Sequence, residues 1–195
     1  MALSESKIRI LIREISLKDR PESLYEISPK GTVPVLQINE NKVIEESLEI
    51  MMWAIKKYKL SWLDYSTEEQ LALITINDKD FKRYLDKYKY TDKTNDNKYP
   101  EYQNYCGKFL EKYDKILKNK SYFFGEKYQL ADVAMFPFIR QCAHIDSIWF
   151  ENNFINLYKW LEKMKTSRLF LSAMNKYDTW DKISEGELVN FQIIS

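Results

Sequence analysis

The chain has 195 residues, with 30 Lys+Arg against 29 Asp+Glu and a formal net charge of +1. That length holds two small domains and a sizeable core, and the near-neutral balance supplies no field to steer nucleic acid or an acidic membrane surface. Two cysteines, Cys106 and Cys142, are too few for a disulfide framework; they read as small buried hydrophobes on apolar helical stripes and suit a reducing cytoplasm. No apolar run reaches the length of a membrane span, and no secretory h-region is seen at the start.

Residues 1–7 read as a helix end or a loop. From 8 to 15 the pattern predicts a strand, with Ile8, Ile10 and Ile12 on one face and Arg9, Leu11 and Arg13 on the other. A polar connection ending at Pro21 leads to one or two helical turns over 21–27. Residues 33–38 and 42–44 then predict two strands joined through Asn39-Glu40-Asn41, a hairpin. Glu46 or Ser47 opens a helix with Leu48, Met51, Met52 and Ile55 at helical spacing. Residues 59–65 read as a linker that packs, since it carries Trp62 and Leu63.

Beyond the linker the pattern is helical. Ser66 and Glu69 form a capping box, followed by Leu71, Ile74, Asp78, Phe81 and Leu85 in a helix running to about 88. A polar loop spans 91–98, and Pro100 fits the first turn of the next helix, which carries Tyr102, Tyr105, Cys106, Phe109 and Tyr113. The stretch 130–145 is apolar almost all round and so predicts a helix buried in a bundle, kinked by Pro137. His144 on it reads as a hydrogen-bonded core or cleft histidine. Two amphipathic helices follow over 153–165 and 167–176. The remainder, 181–195, lacks periodicity and reads as a surface wrap or partly disordered tail.

The stretch that organises the rest is Ser28-Pro29-Lys30-Gly31-Thr32-Val33-Pro34-Val35-Leu36, followed by Val43-Ile44-Glu45-Glu46-Ser47-Leu48. A proline inside a strand argues for an edge or a bulge. Val-Pro also tolerates a cis bond, which would aim the Val33 carbonyl and N–H outward. Glu46 and Ser47 stand where a helix begins, and a helix start offers free N–H groups to an anion. An outward backbone strip beside such an end suits a peptide-like ligand carrying a carboxylate.

This proline-lysine-glycine-x-valine-proline, then glutamate-serine, resembles the glutathione site of the glutathione S-transferase family. The likeness resumes at Tyr122-Phe123-Phe124-Gly125 and Leu130-Ala131-Asp132-Val133-Ala134. The runs 81–90 and 136–146 are similar to a bacterial subgroup with a glutaredoxin-like first domain. The resemblance implies an α/β plus all-α fold: a truncated thioredoxin-like domain over 1–59, then an all-helical domain over 66–195. It implies that Asp132 caps the central helix and serves folding. Gln129 stands where the family has serine or threonine, and the missing hydroxyl would cost about 1 kcal/mol.

Carried over residue by residue, the resemblance implies glutathione as co-substrate. The Val33 backbone would pair with its cysteinyl part, and Pro34 would hold the cis geometry. Glu46 would face the γ-glutamyl ammonium, and Ser47 with the helix start its carboxylate. Lys30 would approach the glycyl carboxylate. Phe81, Tyr84 and Tyr88 are the candidates for a hydrophobic pocket that takes an electrophile, with core packing as the alternative. A homodimer, a cytoplasmic location, no nucleic acid and no membrane are the expected context.

One part of the family pattern has no match. The residue that contacts the glutathione sulfur follows the family's first strand, and here residues 1–4 align with the end of the helix after it. About 15 residues of strand, turn and helix have no counterpart. Met1 is then either a true start or an internal methionine of a longer protein. No catalytic residue is assigned: Ser4 and Ser6 lie at the wrong end of that helix, and nothing near Cys106 lowers its pKa. One histidine and no cysteine pair give no zinc set. Strand 8–15 must find another neighbour for its backbone groups. The options are direct pairing with 33–38, rearrangement, a segment of another chain, or local disorder. The expected function is conjugation of the glutathione thiolate to electrophiles, impaired in the sequence as it stands; the alternative is a non-catalytic binding or scaffold protein on the same fold.

Overall fold

A computed structural model describes residues 1–93 and 96–191. In chain order the elements are α1 (Ala2–Glu5), β1 (Arg9–Ile12), α2 (Glu22–Ile27), β2 (Leu36–Asn39), β3 (Lys42–Ile44), α3 (Ser47–Tyr58), α4 (Thr67–Ile76), α5 (Lys82–Tyr90), α6 (Tyr99–Ile116), α7 (Leu130–Ile145), α8 (Ser147–Asn153), α9 (Ile155–Lys165), α10 (Arg168–Ser172) and β4 (Glu187–Asn190). They fall into two compact units. One is Met1–Leu60 together with the chain from Arg168 on; the other is Ser61–Ser167.

The first unit holds two separate two-stranded sheets. β2 and β3 form the expected antiparallel hairpin, with Leu36 opposite Ile44 and an irregularity between Gln37 and Asn39. β1 pairs antiparallel with β4, in the register Arg9↔Asn190, Ile10↔Val189, Leu11↔Leu188, Ile12↔Glu187. The neighbour that β1 requires is thus supplied by the same chain, a rearrangement rather than pairing with the hairpin. The period-two reading of β1 holds: Ile8, Ile10 and Ile12 are half-buried, while Arg9 and Leu11 are exposed. Residues 168–191 stand with this unit, whereas the sequence expectation ran the second domain through 195. The periodicity that the stretch after 181 lacks is that of a helix; four residues of it are strand, and 192–195 lie outside the described residues.

α3 buries Ile50, Ala54 and Ile55, a seam turned slightly from the Leu48–Met51–Met52–Ile55 stripe. It stops at Lys59, whose φ of 53° is left-handed and whose N–H closes on the Ile55 carbonyl.

The second unit is helical. Trp62 is buried in a short 3₁₀ turn, Ser61–Leu63. Ser66 caps α4 by accepting the Glu69 N–H at 3.3 Å. α4 runs through a π turn, Asn77–Phe81, into α5. Along this continuous run Ile74, Asn77, Phe81, Leu85 and Tyr88 are all buried. Residues 94 and 95 of the polar loop before α6 lie outside the described residues. α7 is the buried centre, with Leu130, Met135, Ile139 and Cys142 fully enclosed and Pro137 within it.

The start of α7 is tied more firmly than the sequence suggests. Asp132 Oδ2 accepts the Gln129 N–H at 2.9 Å, while Oδ1 accepts the Phe123 N–H at 3.0 Å and the Trp160 indole N–H at 2.8 Å. Gln129 replaces the absent hydroxyl. With its amide oxygen toward the Asp132 N–H, its nitrogen donates to the carbonyls of Trp62 at 3.0 Å and Ser61 at 3.3 Å. Burial pushes the Asp132 carboxyl up to about 6, against the pull of its N–H donors. The chain holds one helix beyond those expected, and one expectation is corrected. Asp146 starts a further helix, α8, by accepting the Trp149 N–H at 3.0 Å. His144 is exposed, because it falls on the outer side of the last turn of α7.

Candidate functional site

The tract 28–34 lies between α2 and the hairpin. Gly31 donates its N–H to the Ser28 carbonyl at 2.8 Å and closes a tight turn. Its φ is +59°, and an added Cβ would fall 2.3 Å from the Tyr25 ring carbon Cε1. Glycine suits the left-handed backbone here, and any side chain at 31 would have to displace the Tyr25 ring. Ser28 is fully buried, and its hydroxyl donates to Glu45 Oε1 at 2.7 Å. That bond ties the turn to the residue where the hairpin leaves for α3.

The Val33–Pro34 peptide bond is cis. Both residues are exposed, Val33 to 44 %, and they precede β2 rather than standing in it. Among the described residues neither the N–H nor the carbonyl of Val33 has a hydrogen-bond partner. This is an open backbone strip of one residue.

Because Leu36 faces Ile44, the residues just before β2 and just after β3 flank one end of the hairpin. Glu46 there is the extended N-cap of α3, and Ser47 its first residue; both are exposed. Among the described residues no side chain caps this helix start, which leaves its first N–H groups without an intrahelical or side-chain acceptor. Lys30 Nζ lies 3.6 Å from Glu45 Oε2 and 3.8 Å from Glu46 Oε1. It is 59 % exposed, so both pairs are weak and exchangeable. The end of the hairpin thus presents one open peptide unit, a bare helix start, a carboxylate and an ammonium. That set matches a zwitterionic peptide: N–H donors for a carboxylate, Glu46 for an ammonium, Val33 for an amide.

Lys30, Val33, Pro34, Glu46 and Ser47 are thereby gathered. Reading the sequence alone misses Glu45 and Ser28, whose hydrogen bond spans 17 residues. It also misses Tyr25, whose ring lies against Gly31. An acid next to Glu46 was the only signal for Glu45.

In the second unit Phe81 and Tyr88 are fully buried. Phe81 packs on Phe109 and Tyr113. The Tyr88 hydroxyl meets the Tyr99 hydroxyl at 3.1 Å and the Gln103 amide at 2.9 Å. Tyr84 alone of the three keeps exposed surface, stacked on Tyr105 with centroids 4.5 Å apart. Neither thiol is placed to act as a nucleophile. Both are buried, and the hydrogen bond to Cys106, with burial, holds the Cys142 thiol well above its ordinary value.

A family model of the glutathione S-transferase N-terminal domain covers residues 1–62, and one of the C-terminal domain covers 48–167. No curated protein matches the chain. Among solved structures, a glutathione transferase family member from Pseudomonas fluorescens pf-5, with two glutathione bound, aligns with a TM-score of 0.76 at 18 % identity, over 88 % of this chain and 84 % of that one. The Tau class glutathione S-transferase of mango, Mangifera indica, aligns with a TM-score of 0.74 at 20 % identity, over 90 % and 85 %. A glutathione transferase from Phanerochaete chrysosporium gives 0.72 at 15 % identity, over 88 % and 85 %. At such identities the structures speak to the fold, and the family models, matching most of the chain, speak to descent: the chain belongs to the glutathione S-transferase family.

Proposed function

We propose that the chain binds glutathione at the end of the β2–β3 hairpin. The observation that carries this is the unpaired, exposed Val33 backbone beside the uncapped start of α3. In this reading the cysteinyl part of the tripeptide pairs with Val33 in antiparallel fashion, with Pro34 shaping the turn. Glu46 faces the γ-glutamyl ammonium; Ser47 and the α3 N–H groups face its carboxylate. Lys30 exchanges one of its exposed ion pairs for the glycyl carboxylate.

Glutathione then serves as co-substrate, its thiolate attacking a hydrophobic electrophile. The reading assigns no residue of this chain to activation of that thiol. It also takes the protein to be cytoplasmic and to pair as a homodimer, which its mass in solution would test. Among the described residues, no helix is long and apolar enough to cross a membrane.

A second reading, a non-catalytic binding or scaffold protein, is favoured by one observation. Phe81 and Tyr88, two of the three pocket candidates, spend their side chains on the core, leaving Tyr84 for any ligand. Calorimetric titration with glutathione and conjugation of a model aryl halide separate the readings. Binding with turnover supports the transferase, and binding without turnover the second reading. No binding, with Glu46→Gln behaving like the parent, overturns the glutathione site and leaves only the scaffold form of the second reading.

A further inference from the structure

The family match ends at residue 167, yet the chain from Arg168 on clusters with the first unit. Its contacts are specific and follow β1 and the connection after it. The Trp180 N–H donates to the Glu14 carbonyl at 2.7 Å, beside a parallel bridge between Glu14 and Thr179. The Arg13 guanidinium lies 4.5 Å from the Trp180 ring centroid, and Arg13 Nε donates to the Glu185 carbonyl at 3.1 Å. Lys182 Nζ reaches Asp19 at 2.6 Å. The loop between these anchors is itself ordered: Trp180 Nε1 donates to the Ser184 carbonyl, and Asp181 accepts the Ile183 and Ser184 N–H groups. Gly186 then passes so close to β1 that a Cβ would stand 2.7 Å from the Ile12 carbonyl oxygen. β4 follows, with Val189 in it and Phe191 just after it both buried.

One of these anchors, Lys182 on Asp19, reaches the start of α2, and a separate hydrogen bond outside the segment ties its end. Asp19 lies just before it, and Ser28, bonded to Glu45, lies just after it. α2 is only six residues long and carries one buried apolar side chain, Leu24, so its own packing fixes it weakly. The turn 28–31 and the Val33 strip hang on its far end. We infer that residues 179–191 are a positioning element for the glutathione tract: their docking on β1 and binding of the tripeptide at Val33 and α3 are coupled. This rests on the function proposed above for the hairpin end. Coupling of this kind is reciprocal, so the ligand must also tighten the docked segment.

The experiment uses the full chain with Gly186→Val, which puts a branched side chain at φ +109° against the Ile12 carbonyl, and separately with Trp180→Ala. Hydrogen exchange of the Arg9–Ile12 amides reads docking, and calorimetry reads affinity for glutathione. We expect exchange to quicken by about tenfold or more in Gly186→Val and affinity to fall by about fivefold or more. Trp180→Ala moves both in the same direction. A synthetic peptide of residues 178–191, added to Gly186→Val, restores both. In the parent chain, saturating glutathione slows exchange of the Glu187–Asn190 amides, which a passive cover would not show. Faster exchange with unchanged affinity overturns the coupling, and unchanged exchange in both variants overturns the docking itself. If the parent chain binds no glutathione, the proposed function fails and takes the coupling with it, while exchange still decides the docking.

Discussion

Gly31 and Ser28 show how much of the candidate site rests on contacts within the protein itself, to Tyr25 and Glu45. Gly31→Ala must either abandon φ +59° or push the Tyr25 ring away. We expect a loss of about 1 kcal/mol or more in stability by denaturant unfolding, with weaker glutathione binding, because the turn feeding Val33 shifts. Ser28→Ala removes the buried hydroxyl that holds Glu45; a cost of about 1 kcal/mol is expected, and Lys30 then keeps its carboxylate partners without a fixed geometry. Tyr113 is the opposite case. Its hydroxyl is buried with no partner among the described residues, and burial pushes its phenol well above its ordinary value. Tyr113→Phe should therefore leave the unfolding midpoint unchanged or raise it, since an unsatisfied polar group is removed.

Asp132 joins residue to element. Its folded pKa is about 6 against an ordinary value of 3.8, so the folded protein holds this proton more tightly than the unfolded one. The stabilisation is fully present below about pH 4 and is lost as pH rises through 6. Asp132→Asn keeps the shape but turns one acceptor into a donor facing the Gln129 N–H. We expect it to cost about 1–3 kcal/mol. The gap between parent and variant should widen as pH falls from 7 to 4, measured by denaturant unfolding at each pH; a constant gap would contradict the shifted pKa.

At the scale of elements, the sequence was most legible where one period governed a whole face. The hairpin with its Asn39-Glu40-Asn41 turn, the Ser66 cap and the buried all-round apolarity of α7 are local properties, set by spacing and turn chemistry. The π turn at Asn77–Phe81 was not legible. Inserting one residue leaves the apolar spacing nearly helical, and only packing decides whether the ladder widens. His144 misled for a related reason: it belongs to a helix that is buried along most of its length but emerges at its last turn.

The molecule as a whole carries almost no net charge, with a sequence pI near 7.6. Solubility is expected to be lowest near that pH and to rise on either side, checked by light scattering across a pH series. At this scale, too, lies the division between what the residues announce and what their assembly settles. Family, hairpin, most helix starts and the outline of the candidate tract 28–47 could be read from the order of residues, because each depends on neighbours a few positions away. The partner of β1 could not. Residues 187–190 carry no strand signal strong enough to stand alone, and their pairing with 9–12 joins segments almost the full chain apart. Backbone hydrogen bonds are alike for every residue type, so nothing in the letters says which edge will meet which; that choice is made when Val189 and Phe191 find cover and Gly186 allows the close approach.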